Sequence, residues 1–181
     1  MLSFLFIIII GAILLALPIA SAGVKNLAFI DAFFISTSAI TITGLSPIPN
    51  LSETLSIFGK VVLTFLIQIG GLSVITISVF VMYLIGAKIG ITNRVLLRES
   101  LNQNNASGMV KLVIRIVVFT FSVELIGFFM NLFVFIPDYK PLEAIGLSIF
   151  HAVSSFNNAG FDLLGSISLQ DYTNNPLLNI N

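Results

Sequence analysis

"DAFFISTSAITITGL", residues 31–45, is a short apolar helical pattern that runs into alternating threonine and isoleucine and stops at Gly44. Asp31 at its start suits a helix N-terminus, both as a cap and by the macrodipole. Ten or eleven helical residues measure about 16 Å, half the hydrocarbon core of a bilayer. That length fits a re-entrant helix, one that enters, stops and returns. From Thr41 the alternation favours extended backbone, and Gly44 opens dihedrals closed to other residues. "SPIPN" (Ser46 to Asn50) argues against continued helix. Extended backbone at membrane depth survives only where it is buried in protein or lines a water-filled path. A shallow extracellular loop that never enters the membrane is the competing reading of these residues alone.

Composition decides the setting. The chain is 57% apolar and 9% charged, too little charge to cover a soluble domain, so the class is integral membrane protein. The absence of cysteine excludes a disulfide framework and cysteine metal sites. One histidine and eight scattered carboxylates leave little material for an enzyme. Leu2 to Ala20 carries no charge and is long enough to span as one helix. A second uncharged run lies between Lys60 and Lys88, and a third, Ile116 to Pro137, is interrupted only by Glu124. Ala20-Ser21-Ala22 has the A-x-A form of a signal-peptide cleavage site, but no Lys or Arg precedes the run, which is longer than a usual signal core.

Lys88, Arg94, Arg98, Lys111 and Arg115, five of the eight basic residues, cluster between the second and third runs, against Glu99 alone. The positive-inside rule places this 86–115 connection in the cytoplasm and turns the Thr41–Gly44 stretch outward. Within the connection, Gly90 to Gly108 reads as a basic amphipathic helix with a cap near Thr92 and a loose end, suited to lipid headgroups. "LIQIGGLSVITIS" (Leu66 to Ser78) in the second run offers small and polar residues for close helix packing.

An internal repeat follows from placing Gly44 over Gly160, an offset of 116. "FFISTSAITITGL" then lies over "IFHAVSSFNNAGF" (Ile149 to Phe161), with Phe34 on Phe150 and Ser38 on Ser154. The same offset lays the Leu2–Ala20 run over the run that ends at Ile136. The predicted organisation is an all-α integral membrane fold of tandem helix–pore loop–helix repeats, like a K+ channel. Residues 1–86 form the first repeat, 87–111 a cytoplasmic basic connection, and 112–181 a second repeat that lacks its last helix. Such units suit a cation pore. Short helices aim their partly negative C-termini at a cavity, and the strands after them replace an ion's hydration shell with backbone carbonyls.

"DAFFISTSAITITGL", "LIQIGGLSVIT", "LLRESLNQ", "VKLVIRI" and "FHAVSSFNNAGFDLLG" resemble the Trk/Ktr/HKT family of K+ uptake proteins, and most of all the membrane subunit of bacterial Ktr systems. The resemblance runs along essentially the whole chain. It implies four repeats around one pore in a full-length subunit, a homodimer of such subunits, and a cytoplasmic ring of nucleotide-binding regulatory subunits. It makes Thr41, Ile42, Thr43 and Gly44 one quarter of a filter and Asn157, Asn158, Ala159 and Gly160 another, with K+ held by their carbonyls. Some family members that pass Na+ carry serine at the position matching Gly44, so glycine here and at 160 favours K+. The expected function is K+ uptake across the cell membrane, with K+ and membrane lipid as partners. No enzyme activity, cofactor or nucleic acid enters that expectation.

Glu124, inside the third run, is a functional candidate by default. Pairing with Arg115 or a neighbouring hydroxyl is the plainer expectation. His151 reads as a packing or hydrogen-bonding residue, and Asn157 and Asn158 as braces for the filter. Two rivals stand beside the pore. A secondary transporter with alternating access would favour inverted repeats, whereas these run in one orientation. A non-conducting membrane fragment is the other.

Overall fold

The computed structural model describes residues 2–23, 26–86, 90–100, 108–165 and 168–180. Lys25, Lys88 and the 101–107 part of the basic connection fall outside them, as do the side chains of Thr92 and Arg94. The described residues are helical, with one isolated bridge between Ser21 and Leu55.

The first helix, α1, covers Leu2–Ala16 and gives way to a 3₁₀ turn at Pro18–Ala20. A single Leu2–Ala20 helix is therefore not what forms. Pro18 drives Leu17 into the extended region (φ −63°, ψ 142°), which ends the helix at Ala16, four residues early. Helix α2, Phe29–Ile40, is the short segment read from the sequence, but its N-cap is Ala28. Asp31 sits in its first turn, where a negative charge still complements the macrodipole. A short α3, Leu51–Thr54, is capped by the Asn50 side chain, which accepts from the Glu53 N–H at 3.4 Å.

The second apolar run is also divided. Helix α4, Ile57–Leu72, stops at Ser73, whose φ of 69° is left-handed, and α5, Val74–Leu84, begins again beyond it. Gly70 and Gly71 weaken the last turn of α4, glycine being the poorest helix former after proline. Helix α6, Ile91–Ser100, already includes Thr92, so that residue is no cap. Helix α7, Met109–Phe135, is the one helix among the described residues long and apolar enough to cross a membrane by itself. Helix α8, Pro141–Phe156, starts with proline at its first position, where a missing N–H costs nothing. Helix α9, Pro176–Ile180, is a single turn.

Two compact units form. The larger joins residues 1–71 to 123–181, and the smaller covers 72–122. These follow packing, whereas the 1–86 and 112–181 segments are defined by the repeat. In the larger unit, α1 and α2 meet at Gly11, where a Cβ would run into the Ser36 hydroxyl. That hydroxyl donates to the Ile8 carbonyl at 2.8 Å. Leu15, Ile35, Leu63, Ile67, Phe135 and Phe150 are buried in its core. The smaller unit packs Val79, Leu97, Met109, Val113 and Val117 together.

Candidate functional site

The predicted site residues all lie in the larger unit, directly after α2 and α8. Each helix ends in the same turn. Thr41 and Asn157 are the last right-handed residues, at φ −88° and −83° with ψ 0°. Ile42 (φ 55°) and Asn158 (φ 52°) then turn left-handed, and Gly44 (72°) and Gly160 (73°) do so again two residues on. The Thr43 N–H donates to the Ser38 carbonyl at 3.0 Å and the Ile42 N–H to Ala39 at 3.3 Å. Their counterparts run from Ala159 to Ser154 at 2.8 Å and from Asn158 to Ser155 at 2.9 Å. This is the Schellman pattern, normally built on glycine and sometimes asparagine. Asn158 fits it, whereas a β-branched Ile42 there is strained. No strand forms after Thr41, because the helix end claims these N–H groups before a ladder can.

The two turns, 116 residues apart in sequence, face each other. A Cβ on Gly44 would lie 2.6 Å from the Ala159 carbonyl oxygen and 3.0 Å from the Gly160 Cα. A Cβ on Gly160 would lie 3.2 Å from the Gly44 Cα. Among the described residues no N–H or O–H donates to a carbonyl of 41–44 or 157–160. Ala159 shows this most sharply, since it is fully buried. Backbone carbonyls are obligatory acceptors, so a paired group of unclaimed ones is chemically notable.

Side chains hold the turns to their helices and to α4. Thr43 Oγ1 donates to Ser38 Oγ at 2.9 Å, and Ser154 Oγ donates to the Phe161 carbonyl at 2.7 Å. The two serines are aligned by the repeat, but the sequence carried no sign of these bonds. A Cβ on Gly70 would stand 2.6 Å from the Ile40 carbonyl, so α4 lies flush against the end of α2. Gly71 leaves room in the same way for the Asn157 carboxamide. Asn157 Nδ2 reaches Val153 O at 2.9 Å, Gln68 Oε1 at 3.3 Å and Glu124 Oε1 at 3.4 Å. Glu124 thus finds Asn157, and not Arg115, which lies nine residues back on the same helix, about 13 Å along its axis. Asn158, expected as a second brace, is exposed and its side chain serves no such bond. His151 is buried between Phe135 and Phe150, and its Nε2 accepts from the Leu163 N–H at 3.5 Å. It packs and hydrogen-bonds, as read. No cluster of three or more His, Cys, Asp or Glu side chains that could hold a metal occurs among the described residues.

A family described as cation transport protein, TrkH, matches residues 4–181. The chain belongs to the TrkH family. Relatives include Ktr system potassium uptake protein B of Bacillus subtilis, 40% identical over 177 residues that make up 98% of this chain and 39% of that protein. Potassium/sodium uptake protein NtpJ of Enterococcus hirae is 42% identical over 94% of this chain and 38% of its own length. Ktr system potassium uptake protein B of Vibrio alginolyticus is 36% identical over 98% of this chain and 38% of its own. The TrkH chain thus spans about two fifths of the length of the curated relatives it matches.

Proposed function

We propose that this chain supplies two of the four quarters of a K+ filter in a pore that carries K+ into the cell across the cytoplasmic membrane. The observation that carries the reading is the pairing of two identical helix-terminal turns with unclaimed carbonyls at Gly44 and Gly160. Alternating right- and left-handed residues turn successive N–H groups to one side of the chain and carbonyls to the other. The N–H groups of 41–43 and 157–159 are consumed by their own helices, which leaves carbonyls for a cation. The partly negative C-termini of α2 and α8 add a field of the right sign. In membrane-depth backbone, an ion and its water are the partners such carbonyls lack.

The remaining two quarters would come from sequence matching the rest of the relatives' length. By the positive-inside rule the turns face outward and the 86–115 connection faces the cytoplasm. There a ring of nucleotide-binding regulatory subunits would dock on a homodimer. The test is Rb+ and K+ uptake by the intact gene product in liposomes. Uptake of Rb+ and K+ well above that of Na+, abolished by Gly44→Asp, is expected. Equal passage of Na+, or undiminished uptake in Gly44→Asp, would sink the reading.

A further inference from the structure

We infer that Glu124 and Gln68 are positioning residues that hold the second turn from behind, and that cation discrimination depends on their grip on Asn157. The inference rests on the filter reading above. Three elements converge on one carboxamide. Asn157 Nδ2 has two protons to share among the oxygens of Val153 on α8, Gln68 on α4 and Glu124 on α7. Gly71 lets the same carboxamide lie against the α4 backbone. Gln68 and Glu124 are 9% and 6% exposed, so both have left solvent to make this contact. Gln68 Nε2 is buried with no hydrogen-bond partner among the described residues. A fold gains nothing by burying a carboxyl and a half-satisfied amide in apolar surroundings, which is costly.

The first copy shows that the fold manages without them. At the offset of 116, Asn157 corresponds to Thr41 and Glu124 to Ile8. Thr41 Oγ1 bonds only within its own helix, to the Thr37 carbonyl at 2.8 Å. Both members of the carboxyl–carboxamide pair are thus absent from one copy and present in the other, as a unit would be. The side-chain bonds of the first turn stay within its own helix, although α4 packs against the end of α2 at Gly70. The second turn is tied to α4 and α7, so a movement of either would reach Asn157 and, through it, the carbonyls of Asn158 and Ala159.

The experiment compares K+ and Na+ influx in cells lacking their own K+ uptake, with the intact gene product at matched membrane levels. Glu124→Leu removes the acceptor and is expected to lower the K+-to-Na+ influx ratio about fivefold, the effect of losing one ordinary hydrogen bond. Glu124→Gln keeps an acceptor oxygen and is expected to stay within about twofold of the parent. Ser122→Ala, on the same helix but bonded only to Val118 O, is expected to leave the ratio unchanged. Should Glu124→Leu fail to reach the membrane, Gln68→Leu decides in the same way, through the ratio. Falling influx of both ions at a constant ratio would overturn the inference and make the cluster simple helix packing. A parent protein that shows no preference for K+ would instead overturn the filter reading itself.

Discussion

At Gly44 and Gly160 each residue occupies the space that the other's Cβ would need, and both have positive φ. A side chain at either site therefore meets backbone, which cannot swing aside as a flexible side chain can. Gly44→Ala and Gly160→Ala are each expected to abolish Rb+ uptake while leaving the protein in the membrane, measured by influx at matched immunoblot signal. The left-handed C′ positions give a gentler test. Asn158 is exposed, so Asn158→Ile gains no packing and is expected to cost about 1–2 kcal/mol in thermal denaturation of the purified protein. Asn158→Gly is expected to be neutral or slightly stabilising. Ile42 adopts that same conformation but also packs against the core, which offsets the strain locally. Its left-handed backbone was not legible in the sequence, because alternating threonine and isoleucine favours strand. The end-of-helix hydrogen bonds from Ile42 and Thr43 to Ala39 and Ser38 outweigh that preference.

At the scale of elements, the short helices before the glycine turns were easier to read than the breaks in the long runs. The short α2 follows from the apolar spacing after Asp31 and from Gly44, and α8 follows from α2 through the repeat. What composition hid was local backbone chemistry inside the long runs. Pro18 ends α1, and Ser73, with glycines ahead of it, divides α4 from α5, although neither changes the average hydropathy. The contact of α4 with α2 depends on Gly70, while Gly146 on α8 has nothing within 4 Å of its would-be Cβ. Gly70→Ala is accordingly expected to destabilise by about 1–3 kcal/mol, as overpacking does. Gly146→Ala is expected to stabilise by about 0.5–1 kcal/mol through helix propensity, and one denaturation series measures both. The 3₁₀ turn at Ser168–Tyr172 is fastened to the turn that follows α7 by the Tyr172 hydroxyl, which donates to Asp138 at 2.8 Å. Burial, then this bond, raises the Tyr172 phenol above its ordinary value. The neutral phenol is thus the form that the fold favours. Its contribution is complete below about pH 10 and is lost as the phenol ionises at higher pH. Tyr172→Phe is expected to remove that alkaline loss, seen as a flatter melting temperature against pH above about 10.

For the whole molecule, the recurrence of a short helix ending in a glycine turn was legible, since a repeat survives averaging over many residues. The Asn157–Gln68–Glu124 cluster did not, because three residues from separate helices share no sequence spacing. If the filter needs four quarters, this chain produced alone is expected to give no Rb+ influx, and co-production with the remainder of a full-length relative is expected to restore it. A steady influx from the chain alone would mean that its copies assemble a pore among themselves. The facing of Gly44 and Gly160 also sets an order of events during synthesis. At the usual pace of translation, roughly 6 to 23 seconds separate the two glycines as they leave the ribosome. Throughout that interval the first turn has no counterpart, and its carbonyls must be kept wet or sheltered by the insertion machinery.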